Sequence, residues 1–140
     1  MKKRLLLLSF GIGLLVVPAR AAGEEDTPLG KQMEAMNDAF KGFRRETDPV
    51  KGAAQAREAQ QAALKSAVEI PAMLKAMPDG PDKAKALAEY RKMIGKLFVT
   101  LCEVEEAFLN GKIDEVAKIV EALKESKKTG HDKFIEEDKE

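Results

Sequence analysis

Two side chains near opposite ends of the sequence carry donor atoms that transition metals accept. Met33 offers a thioether sulfur, and His131, the one histidine among the 140 residues, offers an imidazole. Met33 falls a turn and a half into the first helix that the sequence predicts beyond its apolar start, and His131 falls near the end of the last. If four helices alternate in direction, both residues come to the same end of the bundle and face each other across its interior. An imidazole and a thioether opposed across an apolar slot form the axial pair that holds low-spin haem iron and raises its potential. Neither residue says this alone. Methionine on a helix seam is ordinarily core filler, and a histidine in a final turn ordinarily faces solvent beside the helix dipole. The elements that would position the pair decide between these readings.

The chain opens Met1-Lys2-Lys3-Arg4, runs almost wholly apolar from Leu5 to Val17, and continues Pro18-Ala19-Arg20-Ala21. A basic start, a short apolar run and an Ala-x-Ala site predict a secretory signal peptide over 1–21, cleaved after Ala21. The run of about 13 residues is short of the roughly 20 that a spanning helix needs. The mature protein is then one domain over 22–140, working in the periplasm and not inserted in a membrane. Basic and acidic residues balance at 24 each. Four of the cations, Lys2, Lys3, Arg4 and Arg20, would leave with the leader, so the mature chain is mildly acidic. That argues against nucleic acid as a partner, because its phosphates demand clustered positive charge. Cys102 is the only cysteine. No internal disulfide is available, and the core must hold the fold unaided.

Apolar residues recur at steps of three and four with no strand alternation, so the fold class is all-α. Thr27-Pro28 reads as a cap followed by proline at the first helical position. From there Leu29, Met33, Met36, Phe40 and Phe43 make a one-sided seam. Asp48-Pro49 repeats the signal for a second helix, carried by Ala54, Ala56, Ala59, Ala63, Ala67 and Ile70 and stopped or kinked at Pro71. Pro71 to Pro81 is a connection whose Met73, Leu74 and Met77 are expected to fold over one end of the core. The third helix follows with Leu87, Tyr90, Ile94, Leu97, Leu101, Val104 and Phe108, and Asn110-Gly111 ends it in a short turn. The fourth carries Ile113, Val116, Val120, Leu123, Lys127, Gly130 and Phe134. Short turns and seven-residue seams predict an antiparallel up-down-up-down four-helix bundle, with small crossing angles. One end of it would collect Met33, Met36, Val68, Ile70, Tyr90, Ile94, Gly130, His131 and Phe134. Gly130 would leave room there for something flat.

The segment Leu29-Gly30-Lys31-Gln32-Met33-Glu34-Ala35-Met36-Asn37-Asp38-Ala39-Phe40-Lys41 resembles the first helix of the cytochrome b562 family, small haem proteins of the bacterial periplasm. The last helix is similar too, through Asn110-Gly111-Lys112-Ile113 and Lys127-Lys128-Thr129-Gly130-His131-Asp132-Lys133-Phe134. The likeness spans the chain after its leader, strong at both ends and weaker across the second helix and the connection. The family is itself a known example of the up-down-up-down bundle, so topology and resemblance are not independent arguments. The resemblance implies Met33 and His131 as axial ligands, with Met36, Tyr90, Ile94 and Phe134 lining the haem. Two positions depart from the pattern. Ile94 stands where the family tends to carry phenylalanine, and Gly130 where an aromatic usually precedes the histidine. Lys127 and Gly130 occupy the places of the cysteines that bind haem covalently in related bundles, so haem b, one per chain, is expected without thioether bonds.

With both axial positions filled, iron has no open site for oxygen or peroxide, which favours an electron carrier over an enzyme. The partner would be another redox protein, as yet unidentified, and a monomer suffices. Two other readings stay open: a haem-free helical bundle that binds proteins or acts as a holdase, with His131 exposed, and a copper carrier using Met33, Met36 and His131.

Overall fold

The computed structural model describes residues 26–135; the expected leader and the Ala21 boundary lie outside them. Four long helices and one short one make up the described chain: α1 (Pro28–Phe43), α2 (Pro49–Ala67), α3 (Ala72–Ala76), α4 (Pro81–Leu109) and α5 (Ile113–Phe134). The starts follow local chemistry. Thr27 caps α1 by accepting from the Gly30 N–H at 2.9 Å. The Asp48 carboxylate caps α2 through Val50 N and Lys51 N, at 2.9 and 3.0 Å. Proline occupies the first turn in both, where its missing N–H costs nothing. At the end of α4, Gly111 takes a left-handed φ of 69°. Its N–H reaches Phe108 O and that of Lys112 reaches Ala107 O, so the last carbonyls are satisfied and the chain reverses.

Paired contacts give the topology. Gly42 lies against Gln55, which sets α1 beside α2. Arg57 and Gln60 reach Glu105, Gln60 also reaches Leu101 O, and Tyr90 reaches Ser66 O. Rising numbers on α2 meet falling numbers on α4, so the two are antiparallel. Met93 against Gly130 and Tyr90 against Phe134 give the same order between α4 and α5. The bundle is all-α and up-down-up-down, as the spacing predicts.

Small side chains set the distances. α2 buries Gly52, Ala53, Ala56, Ala59, Ala62 and Ala63, so α1 and α4 both approach it closely. The large core side chains come from the other helices: Phe43, Tyr90, Ile94, Leu101, Val104, Phe108, Leu123 and Phe134. Leu74 of α3 is buried, and Met77 and Ile70 pack on the core, so the connection covers the core with these residues and not with Met73, expected among them.

Three expectations along α2 need correction. The helix ends at Ala67 and not at Pro71. Beyond it, Ile70 precedes a proline and is biased away from helical backbone. The Ser66 carbonyl, which a longer helix would pair with Ile70 N, accepts from Glu69 N at 3.2 Å and from the Tyr90 hydroxyl at 2.8 Å. Val68, placed above in the apolar end, is consequently 80% exposed. Ala54, placed on the seam, faces solvent, and Ala53 and Ala62 are buried instead.

Two glycines test this packing in opposite directions. A Cβ on Gly52 would overlap the ring of Phe108, which is fully buried and cannot step aside. Gly52→Ala should therefore cost about 1–3 kcal/mol through overpacking. Gly95→Ala, with open space at its Cβ in the middle of α4, should gain about 0.5–1 kcal/mol. Urea unfolding of the two variants should move in opposite directions from the parent. A pH series checks the α2–α4 clamp. Hydrogen bonds from Gln60 and Arg57 hold the Glu105 carboxyl below its usual value despite its partial burial. A depressed folded pKa stabilises above the unfolded value and is lost as pH falls through the folded one. The stability difference between parent and Glu105→Gln should accordingly shrink as the pH is lowered below about 4.5.

Candidate haem site in the α1–α5 seam

The helix ring is closed by close backbone packing between α1 and α2, α2 and α4, and α4 and α5, but not between α5 and α1. One hydrogen bond crosses that open seam: the Lys127 ammonium donates to Asn37 Oδ1 at 2.9 Å. It fixes the level of the two helices, because α1 and α5 run in opposite directions. Met33 is four residues before Asn37, and His131 is four residues after Lys127. Both steps lead towards the same end of the bundle, by one turn or about 6 Å. Four residues also rotate a position by only about 40°, so each donor stays on the flank that its neighbour shows to the seam. Met33 turns inward and is half-buried against the core, whereas His131 turns outward and is exposed. The two residues lie on facing helices, but His131 does not face Met33 across the core as the spacing predicts: its side chain is exposed.

Lys127 itself shows how open the seam is. It occupies a place on the stripe of Val116, Val120, Leu123, Gly130 and Phe134, all buried, yet it is exposed. A lysine at that register is compatible only with a neighbour that stands off.

The walls are apolar. Tyr90 and Ile94, from α4, are buried to 2% and 1% exposure, and Met36 of α1 is buried beside them in the core. The Tyr90 ring meets Phe134 edge to face, with centroids 5.5 Å apart and planes at 77°. Its hydroxyl is spent on Ser66 O, and burial, helped by the charge of Glu69, pushes its pKa up to about 12. Tyr90 is therefore a rigid, neutral wall. On the outer edge Lys133 lies 3.5 Å from Glu89, which ties the end of α5 to α4.

Gly130 does not leave the gap that its missing side chain suggests. Met93 of α4 fills it, with its sulfur and terminal methyl 3.1 Å from where a Cβ would stand. The glycine is a notch for a neighbouring methionine, not a slot for a planar ligand. Met93 had a legible signal, since it falls three residues after Tyr90 on the same apolar face, but its match to Gly130 depends on the register of α4 against α5. Asn37 gave no such signal.

Two surface grooves elsewhere carry no methionine or histidine. A groove of about 470 Å3 between α1 and α2 is lined by Gln32, Asp38, Gln55, Glu58, Gln61 and Lys65 among others, and one of about 300 Å3 between α4 and α5 is mainly acidic. Among the described residues no three His, Cys, Asp or Glu side chains gather as a metal site. No described helix is long and apolar enough to cross a membrane. Cys102 stands apart on α4, half-buried, its thiol pushed up by burial and by Glu105 and Glu103. The donor types present, a thioether on α1 and an imidazole on α5 together with the buried Tyr90, Ile94 and Phe134, are in their chemistry those that an iron macrocycle accepts.

No curated protein matches the chain. A family model described as cytochrome b562 does, over residues 28–134. That span runs from the first residue of α1 to the last of α5 and takes in both donors and every wall of the seam; the chain belongs to the cytochrome b562 family of haem-binding, electron-carrying helical bundles.

Proposed function

We propose that this protein is an exported single-electron carrier that holds one haem b, non-covalently, in the α1–α5 seam between Met33 and His131. The observation that supports the reading is the Asn37–Lys127 hydrogen bond across the seam, from which Met33 and His131 are each four residues along their helices towards the same end. Haem supplies a one-electron ferric–ferrous couple; the chain supplies ligands, burial and orientation. His131, exposed on α5, would turn over the seam to bind the iron. Met33 is already held against the core. Met36, Tyr90, Ile94 and Phe134 keep water from the inner face. A thioether donor and an apolar wall both favour the ferrous state and raise the potential. Periplasmic location rests on the leader-like 1–21, and domain 22–140 is the unit that would bind haem. Because one chain provides both donors, no second copy is required. The partner is a redox protein.

His131 is exposed, which a haem-free bundle also requires, and the same donors with Met36 would suit copper. A visible spectrum of the purified, exported protein separates the three. The haem reading expects a red protein with a sharp low-spin ferrous spectrum, and acidified acetone should extract the colour. A colourless protein that ignores added hemin would overturn it. His131→Ala should lose haem most readily, since imidazole is the stronger donor to ferric iron. Met33→Ala should keep some haem, turn high-spin, and lower the potential by something on the order of 0.1 V, within the roughly 0.8 V that axial ligands command. Met36→Ala should stay low-spin; if it and not Met33→Ala loses that spectrum, the ligand lies one turn away.

The haem-free protein gives an independent readout. α5 packs closely only on α4, and Lys127, Lys128 and His131 of its last turns are exposed. Amides from Ser126 to Phe134 should exchange fast without hemin and slow down with it, because a ligand of the folded state stabilises by mass action. Val116 to Leu123 should be protected in both forms. Equal protection of the terminal stretch would place the cofactor elsewhere.

A further inference from the structure

The α2–α4 face lies opposite the open seam of the helix ring, and it gathers the apolar side chains that the core leaves out. Among the described residues five large hydrophobic side chains stay between 55% and 80% exposed: Val50, Leu64, Val68, Val99 and Leu109. All five stand on α2, at its C-cap or on α4, and α1 and α5 contribute none. The ion pair of Arg57 with Glu105, at 2.8 Å, spans the groove between the two helices. Val50 and Leu64 are one heptad to either side of Arg57, and Val68 is one turn beyond Leu64. Phe98 is one heptad before Glu105, Cys102 lies between them, and Leu109 is one turn after. Steps of three, four and seven keep to one helical face, so these side chains form a strip with the ion pair inside it. Phe98 and Cys102 are half-buried there, and Arg91, one heptad before Phe98, adds a charge near one end. Single exposed hydrophobics are ordinary, but an apolar strip confined to one face marks an interaction surface.

We propose that a second copy of this chain docks on the α2–α4 face, about a twofold axis parallel to the helices. The charge pattern matches the face to itself. Arg57 and Glu105 lie at one level on adjacent helices, so that axis sets Arg57 of each copy over Glu105 of the other, and the four groups alternate in sign. A twofold axis across the helices would set Arg57 over Arg57. Arg57 has donors to give: its guanidinium carries five N–H groups, spends Nε on its own Glu105, and leaves the side chain 55% exposed. The same axis brings Leu64 level with Phe98 of the second copy, and Val50 level with Leu109. Such self-complementarity is what an isologous dimer requires. With 19 residues in α2, a face about 28 Å long and about 20 Å wide covers roughly 1,100 Å2 over both copies. That just clears the about 1,000 Å2 of a specific interface, so the dimer is a reversible one. Each copy keeps its α1–α5 seam on the far side, and the inference stands apart from the haem reading.

Sedimentation equilibrium of the purified, exported protein, with and without hemin, tests this. The mass should rise from one chain towards two as the concentration approaches about 1 mM. A single chain throughout overturns the proposal. Leu64→Glu/Val68→Glu changes only exposed side chains and should weaken the association roughly tenfold or more. Lys118→Gln/Lys128→Gln alters the net charge equally on the exposed side of α5 and should change it less than about twofold. Equal weakening by both pairs, or a dimer that survives Leu64→Glu/Val68→Glu, overturns the face.

Two further readouts test the match of the face to itself. Cys102 is the only cysteine, so a short bismaleimide should join two parent chains through it in the concentration range where the mass doubles. A doubled mass without that cross-link overturns the face. The exchange Arg57→Glu/Glu105→Arg keeps an ion pair within each chain. This variant should associate with itself as the parent does, but it should not form mixed dimers with the parent, because like charges would then oppose each other. Mixed dimers that form as readily as matched ones overturn the twofold axis. None of these outcomes depends on haem, whose absence would be read separately from the spectrum.

Discussion

The alanine face of α2 sets the distances on which the rest of the bundle depends. Interaxial separation follows the side chains at the contact, from about 8 to 10 Å, and α2 presents Ala53, Ala56, Ala59, Ala62 and Ala63 to its neighbours with Gly52 at one end. α1 and α4 are thereby drawn close on either side of α2. Phe108 uses the space that Gly52 leaves, and the clamp of Gln60 and Arg57 on Glu105 fixes the register. α5 then finds its tight neighbour in α4, through Met93 on Gly130 and Tyr90 on Phe134. With one side of the ring drawn in by small residues and filled by large ones from α4, α1 and α5 are left apart.

The opening is thus a consequence of packing elsewhere, and that explains its chemical character. A seam that helices do not close can tolerate Lys127 on an otherwise buried stripe, and it can present an imidazole on one flank and a thioether on the other. It needs no strained backbone: among the described residues only glycines have positive φ, and they lie in connections. The stability of the molecule resides mainly in α1, α2 and α4. The end of α5 packs closely only on α4, through Gly130 and Phe134, so a ligand in the seam can add support there.

The wall opposite the seam shows how a polar group is made inert. Tyr90 is buried, and its hydroxyl would be costly without a partner. By donating to Ser66 O, which also accepts from Glu69 N, it is satisfied within the core. One bond therefore ties the last turn of α2 to α4 and holds the Tyr90 ring in place.

Much of this was legible in the residues, for local reasons. Thr27-Pro28, Asp48-Pro49, Pro81 and Asn110-Gly111 mark helix ends through caps, a fixed φ and a left-handed turn, all of which act within a few residues. Spacing by threes and fours assigned the seams, and helix count with short turns assigned the directions, so Met33 and His131 could be brought to one end of the molecule. What depends on contact between distant segments was not legible. Tyr90 reaching back 24 residues to the Ser66 carbonyl is one such contact. The filling of Gly130 depends on the register of α4, and the level of the two donors on a bond across 90 residues. Local sequence carries the energy of caps and periodic faces, whereas register and the width of a seam are set only when whole helices meet.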